Sequence, residues 1–189
     1  AGAPKGLIAC LQSVSLPGTQ ELMHHKRIAL ILATGGSPMV RAAHSVGKPA
    51  YGVGPGNVPV YVDRSADIEK AARYIVASKA FDNSTICATE QCVVADRPIA
   101  NRLKELMIRE GAYFCDEHQT DLLRKAIFNN DASFNTALVG KSALYIASFV
   151  GISVPPNTKV LVTPIAHVDK EEFLAHEKLT TVLAWHEVA

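Results

Sequence analysis

The sequence lacks the patterns that mark membrane, secreted and nucleic-acid-binding proteins. No stretch approaches the ~18 uninterrupted apolar residues of a membrane-spanning helix, and the first residues show no basic segment followed by an apolar core and a cleavage site. The formal net charge is +1, and lysine and arginine form no stripe along the 189 residues. These absences predict a cytoplasmic protein whose main partner is neither a membrane nor a nucleic acid.

Cysteine is scarce, and its spacing argues against the common zinc sites, so we predict no metal. The four cysteines form no CxxC pair and no zinc-type spacing with histidine. Because there is no secretion signal, we expect reduced thiols. Cys10 and Cys92 lie in apolar runs typical of buried structural thiols, and Cys115 precedes two acidic residues that disfavour a thiolate. Only Cys87 has a setting that suits a nucleophile.

That setting is the run of residues 81–91, which places one thiol among small and polar residues. It follows directly on a helical pattern over residues 68–80, which Asp67 is expected to cap. Upstream, residues 48–59 contain three glycines, which allow the backbone to approach a ligand or another chain segment closely. The two runs together predict a reactive-thiol enzyme.

Short apolar runs alternate with helical patterns along the whole chain, which is typical of an α/β fold. The predicted strands cover residues 7–14, 28–33, 50–53, 58–62, 91–95 and 159–163. The predicted helices cover residues 18–25, 38–46, 68–80, 99–110, 121–128 and 143–149. The glycine-rich turn at residues 54–57 is a plausible crossover between domains. A third glycine signal, Thr34-Gly35-Gly36, precedes a helix and can face a nucleotide, although it lacks the full dinucleotide fingerprint.

Four motifs occur in an order that resembles the aldehyde dehydrogenase superfamily. They are Ala33-Thr34-Gly35-Gly36, Gly52-Val53-Gly54-Pro55-Gly56-Asn57-Val58-Pro59, Phe81-Asp82-Asn83-Ser84-Thr85-Ile86-Cys87-Ala88-Thr89-Glu90-Gln91 and Ala175-His176-Glu177-Lys178-Leu179. The resemblance is greatest to the CoA-acylating branch, in particular to the acetaldehyde dehydrogenase half of bifunctional aldehyde-alcohol dehydrogenases. It implies a three-layer α/β fold. Residues 1–56 would be the C-terminal part of a Rossmann-like NAD-binding domain, and residues 57–189 an incomplete catalytic domain.

The resemblance also implies a site and a reaction. Cys87 matches the catalytic cysteine, whose thiolate attacks an aldehyde carbonyl and, after hydride transfer to NAD, holds the acyl group as a thioester. Glu177 matches the glutamate that holds the nicotinamide ribose. The other cofactor-binding positions that the resemblance implies are Thr34, Gly35, Gly36, Gly52, Val53 and Gly54.

The residue at position 52, a glycine, distinguishes an acyl-transferring enzyme from a hydrolytic one. In hydrolytic relatives the matching position is a glutamate that activates water, and glycine cannot act as a base. The resemblance therefore implies that coenzyme A accepts the acyl group of a short aldehyde such as acetaldehyde, in a homo-oligomeric enzyme. Family members are much longer, so we expect the isolated chain to bind NAD poorly and to turn over slowly or not at all.

Two alternatives stay open. One is another enzyme of the same fold, such as a hydrolytic aldehyde dehydrogenase or an acyl-phosphate reductase. The other is a catalytically silent module for oligomer or filament assembly.

Overall fold

The chain divides into two units, unit 1 over Ala1–Pro55 and unit 2 over Gly56–Ala189. The computed structural model describes residues 2–129 and 133–189. In each unit parallel strands alternate with helices, so the α/β fold class predicted from the sequence pattern is confirmed.

Unit 1 contains two helices and two parallel strands. They are α1 (Leu16–His24), β1 (Ile31–Thr34), α2 (Ser37–His44) and β2 (Ala50–Val53). Ser15 begins α1 by accepting a hydrogen bond from the Gly18 amide at 3.1 Å. The core of the unit is small and consists of Met23, Ile31, Ala33 and Ala43.

The strand predicted for residues 7–14 is wrong. This segment is irregular, and its apolar side chains face solvent, with Ile8 91% and Val14 83% exposed. A strand must pair its N–H and C=O groups with a neighbour, and within the described part of unit 1 β1 and β2 pair only with each other. Cys10 is consequently exposed, and the expectation of a buried structural thiol at that position is also wrong.

Unit 2 is built on a five-stranded parallel sheet with the order β3-β4-β7-β6-β5. The strands are β3 (Pro59–Val62), β4 (Cys92–Asp96), β5 (Ala112–Phe114), β6 (Val160–Pro164) and β7 (Val182–Val188). The helices are α3 (Ile68–Ala80), α4 (Arg97–Glu110), α5 (Glu117–Ile127) and α6 (Ala143–Phe149).

The sheet of unit 2 is covered on both faces, which makes the unit three-layered. Val93 and Leu183 face a core shared with α3 and α4, whereas Cys92 and Ala184 face a second core shared with α5 and α6. Burial on both faces explains why the central strands appear in the sequence as continuous apolar runs.

Most predicted elements lie within a few residues of the observed ones, and the differences have local causes. Residues 68–80 form α3 as predicted, and Asp67 caps the helix through a 3.1 Å bond from the Lys70 amide. Helix α5 begins at Glu117, before the predicted residue 121, because Asp116 and Gln119 form a reciprocal capping box. No strand was predicted for the three-residue β5 or for β7.

Candidate functional site

Three neighbouring strands of unit 2 begin at the same edge of the sheet, and each is preceded by a residue of the candidate site. Gly56 precedes β3, Cys87 precedes β4 and Glu177 precedes β7. Because the three strands are parallel, their amino ends lie side by side. The Gln91 amide donates to the Val58 carbonyl at 2.9 Å, and the Ala184 amide donates to the Gln91 carbonyl at 3.0 Å. The sheet thus brings together segments that are far apart in the sequence.

Gly56 lies between the cysteine loop and the glutamate. Its amide donates to Oε1 of Glu177 at 3.1 Å. A Cβ atom at residue 56 would lie 3.2 Å from the Cys87 carbonyl oxygen and 3.6 Å from Oε1 of Glu177. The close approach therefore favours glycine at this position. Gly56 therefore lies close both to the backbone of Cys87 and to the carboxylate of Glu177, the two residues that the sequence predicted for the site.

The loop that carries Cys87 has an unusual backbone. Three consecutive residues after α3, Asp82, Asn83 and Ser84, have φ values of 47°, 49° and 64°, in the left-handed region. Non-glycine residues there cost about 1–2 kcal/mol each, so the surrounding contacts must compensate for this strain. Thr85 Oγ1 donates to Oδ2 of Asp82 at 2.6 Å, and the buried hydroxyls of Ser84 and Thr89 lie 2.8 Å apart. These bonds close the loop and leave Cys87 exposed in the turn that follows.

Burial separates Cys87 from the other thiols of unit 2. Desolvation raises the pKa of Cys92 to about 11, and desolvation together with the charge of Asp116 raises the pKa of Cys115 to about 12. Both thiols are buried and stay protonated at neutral pH. The structural role expected for Cys92 is confirmed, and so is the disfavoured thiolate of Cys115.

The remaining predicted residues belong to unit 1, where β1 and β2 end. Thr34 is paired with Val53, and the Gly35 amide donates to the Val53 carbonyl at 3.1 Å. Gly36 caps α2 without a side-chain hydrogen bond. The structure therefore gathers the Thr34–Gly36 loop and Val53 at the carboxyl ends of two parallel strands, next to the first turn of a helix. Gly54 has no atom within 4 Å of a Cβ built on it, so nearby atoms impose no need for glycine there.

Gly52 has a packing role that the sequence analysis did not predict. A Cβ atom at residue 52 would lie 2.4 Å from Cγ1 of Val40 and 2.7 Å from Nε2 of His44, so this position faces α2. A carboxylate side chain at residue 52 would displace the helix. Neither Gly52 nor its neighbours Val53 and Gly54 supplies a general base.

A buried polar cluster that the sequence pattern did not predict lies next to the cysteine loop. Lys79, Gln91 and Lys178 are each 0% exposed. The spacing of Ala72, Ile75, Val76 and Lys79 puts all four residues on one helical face, so the periodicity of α3 contained the signal for a buried lysine. Fully buried lysines are rare, which makes this cluster a feature that needs an explanation.

Residues 1–113 match the model of the aldehyde dehydrogenase family. The chain belongs to this family. It is 45% identical over 186 residues to the bifunctional aldehyde-alcohol dehydrogenase of Escherichia coli, a match that covers 98% of this chain and 21% of the relative. The resemblance stated from the four motifs is confirmed, and the chain spans about a fifth of the length of that relative.

Solved structures agree with this assignment. An acetylating aldehyde dehydrogenase from Geobacillus thermoglucosidasius superposes with a TM-score of 0.93 at 46% identity, covering 99% of this chain and 41% of that one. The propionaldehyde dehydrogenase of Rhodopseudomonas palustris, solved with bound CoA and an acylated cysteine, gives a TM-score of 0.84 at 33% identity. That match covers 92% of this chain and 39% of the other. The relatives of this aldehyde dehydrogenase chain therefore include CoA-acylating enzymes.

Proposed function

We propose that the protein is a CoA-acylating aldehyde dehydrogenase, which interconverts a short aldehyde such as acetaldehyde and its acyl-CoA with NAD. The observation that carries the proposal is that the backbone of Cys87, whose thiol is exposed, and the carboxylate of Glu177 both lie close to Gly56. The acylated cysteine and bound CoA in the Rhodopseudomonas palustris relative support the same chemistry.

In this proposal Cys87 is the nucleophile. Its thiolate forms a bond to the aldehyde carbon, and the carbonyl oxygen takes the negative charge. The Cys87 amide has no hydrogen-bond partner within residues 2–129 and 133–189, so it is available to donate to that oxyanion. After loss of hydride the acyl group remains on the sulfur as a thioester. The CoA thiolate then attacks the thioester, and Cys87 leaves as a thiolate.

NAD supplies the hydride acceptor, and residues of both units have suitable groups to hold it. Glu177 is partly exposed and receives the Gly56 amide on Oε1 alone, so Oε2 can accept a ribose hydroxyl. Gly36 leaves the first turn of α2 without a side-chain cap, and the Met39 and Val40 amides donate to the Gly36 carbonyl, so the Ser37 amide is the N–H of that turn that can meet a phosphate or ribose oxygen. We extend the proposal to the full cofactor set of Thr34, Gly35, Gly36, Gly52, Val53, Gly54 and Glu177.

We also assign residues 1–56 to the end of the NAD-binding domain and residues 57–189 to the catalytic domain. The division of the chain between Pro55 and Gly56 supports this assignment.

The described residues contain no helix that is both long and apolar enough to cross a bilayer. Our proposal includes a cytoplasmic homo-oligomer. The exposed, stacked rings of Tyr145 and Phe149 on α6 offer an apolar face for such an assembly. Light scattering of the purified protein tests the oligomeric state.

The test of the function is acyl transfer from acetyl-CoA to the intact protein, measured by peptide mass spectrometry. We expect acetyl on Cys87 and none in Cys87→Ala. Free acid as the main product of aldehyde oxidation with CoA present would favour a hydrolytic enzyme instead. A Cys87 that neither accepts acetyl nor reacts with iodoacetamide would indicate a silent assembly module.

A further inference from the structure

Gln91 makes an unusually large number of hydrogen bonds for one buried residue. Its backbone amide donates to Val58, before β3, and its carbonyl accepts from Ala184 in β7 at 3.0 Å and from Nζ of Lys178 at 2.9 Å. Gln91 directly precedes β4. Its main chain therefore joins the beginnings of the three strands that carry the candidate site.

The side-chain amide of Gln91 connects the two functional segments directly. Nε2 donates to the Thr89 carbonyl at 3.1 Å, within the loop that carries Cys87. Oε1 accepts from the Lys178 backbone amide at 3.1 Å, directly after Glu177. One rigid, planar amide thus spans from the cysteine loop to the glutamate segment, and a rotation of that amide moves the partners of both.

Lys178 closes this arrangement from the glutamate side. Its Nζ donates to the carbonyls of Gln91, Leu174 and His176. Three acceptors match the three protons of an ammonium group, so the side chain ties residues 174–178 to the start of β4. The next residue, Leu179, has a left-handed φ of 43°, a strained conformation for a branched side chain. The contacts of Lys178 help to hold this strained turn in place.

Lys79 also contacts the side-chain amide of Gln91. Its Nζ donates to Oε1 of Gln91 at 3.2 Å, its only hydrogen bond in the described part of the chain. Burial and the nearby charge of Lys178 hold the pKa of Lys79 well below its usual range, while the carboxylates of Glu90 and Glu177 act in the opposite direction. The backbone amide of Lys178 can only donate and the Thr89 carbonyl can only accept, so these two partners fix Oε1 toward the lysines and Nε2 toward Thr89.

We propose that Gln91 is a positioning residue, which, held by Lys79 and Lys178, sets the distance between the Cys87 loop and Glu177. Thr89 belongs to the closed loop of Cys87, and Lys178 is covalently next to Glu177. Among residues 2–129 and 133–189, Gln91 has no hydrogen bond to the thiol of Cys87 or to the carboxylate of Glu177, so it would act through these neighbours. The inference rests on the proposed function, because it treats Cys87 and Glu177 as parts of one active site.

The experiment compares three variants of the intact protein. Gln91→Met keeps the length of the side chain and removes all its hydrogen bonds. Gln91→Glu keeps acceptors for Lys79 and the Lys178 amide but loses the donor to Thr89. Asp96→Asn is the matched control, since Asp96 is a buried side chain at the other end of β4, where it accepts bonds from Tyr61 and Arg64.

Two rates are measured for each variant, namely acetylation of Cys87 by acetyl-CoA and its alkylation by iodoacetamide. We expect Gln91→Met to lower the maximal acetylation rate between about 10-fold and 100-fold, the effect of misplacing a reacting group by about 1 Å. The acetyl-CoA concentration for half-maximal rate is expected to change little. Gln91→Glu should recover part of the loss, and Asp96→Asn should stay within about twofold of the original rate.

A maximal rate that is unchanged in Gln91→Met, or lowered equally in Asp96→Asn, would overturn the positioning role. If Gln91→Met does not fold, Lys79→Met tests the same contact while keeping the amide, and an unchanged rate there has the same meaning. Failure of the proposed function looks different, because the unaltered protein would then accept no acetyl. In that case alkylation of Cys87 still tests the inference, and equal alkylation rates in all variants would refute it.

Discussion

Gly140 offers a sharp test of how the cysteine loop is supported. Its amide donates to the Leu179 carbonyl at 3.0 Å, and its φ is +68°. A Cβ atom at this position would lie 2.9 Å from Cγ2 of Thr85, closer than nonbonded carbon atoms approach each other. Thr85 cannot move freely, because its hydroxyl is bonded to Asp82. Gly140→Ala should therefore strain its own backbone and also displace the loop.

Gly151 provides a matched control for the backbone effect. Its φ is +75°, and a Cβ atom built there meets nothing within 4 Å. A residue with a Cβ in the left-handed region costs about 1–2 kcal/mol, so Gly151→Ala should lower the free energy of unfolding by that amount. Gly140→Ala should lose the same amount through its backbone and about 1–3 kcal/mol more through overpacking against Thr85. The free energy of unfolding should therefore fall by about 2–5 kcal/mol in total.

Trp185 makes the measurement straightforward. It is the single tryptophan of the 189 residues and is buried in β7, so its fluorescence reports on the unfolding of unit 2. Urea titrations should show the larger fall in midpoint for Gly140→Ala at an unchanged slope. Cys87 should react faster with iodoacetamide in Gly140→Ala, because the displaced loop loses its closing hydrogen bonds, and at the original rate in Gly151→Ala. Equal losses of stability in the two variants would refute the proposed contact with Thr85.

Two further predictions concern protons and thiols. Burial lowers the pKa of Lys178 from 10.5 to about 7 and holds that of Lys79 well below its usual range, so between pH 7 and 10.5 the unfolded chain binds more protons at both lysines, and stability should rise with pH by up to about 1.4 kcal/mol per unit for each lysine. The rise should flatten above about pH 9, where the thiols of the unfolded chain ionise while burial keeps the pKa of Cys92 at about 11 and that of Cys115 at about 12. Urea unfolding from pH 7 to 10 checks this, and a curve that is flat or falling between pH 7 and 9 would contradict it. Iodoacetamide should label the exposed Cys87 and Cys10 in the folded chain and all four cysteines in urea, with peptide mass spectrometry identifying each site; labelling of a buried thiol without urea would be inconsistent with the structure.

The sequence predicts elements well where their signals are local. Asp67 and the apolar spacing of α3 define that helix completely, and the alternation of short apolar runs with helical patterns gives the fold class. The strand predicted at residues 7–14 is wrong because strand formation is not decided locally. An apolar run becomes a strand only when a partner strand is available. Strand β5 has three residues, too few for any periodicity to appear.

The same distinction between local and long-range signals applies to the residues of the candidate site. Cys87 can be predicted from the sequence because its small and polar neighbours indicate an exposed thiol. The residues that contact Glu177 cannot, because they depend on the order of the strands in the sheet. The sequence did not indicate the role of Gln91, since a glutamine before a strand has many possible roles. It did indicate that Lys79 is buried, because this charged residue lies on the apolar face of α3. Only the packed structure shows that Lys79 donates to the side-chain amide of Gln91.

The position of the candidate site within unit 2 explains why strand pairing matters to its geometry. In open parallel sheets ligands usually bind beyond the carboxyl ends of the strands, where loops can vary freely. Here Cys87, Gly56 and Glu177 lie at the amino ends of β4, β3 and β7. The segments that carry these residues are joined to the beginnings of the three strands through Gln91, so the geometry of the candidate site depends on how those strands begin. The hydrogen bonds of Gln91 join those beginnings, so a change in their register is expected to shift the Cys87 loop relative to Glu177.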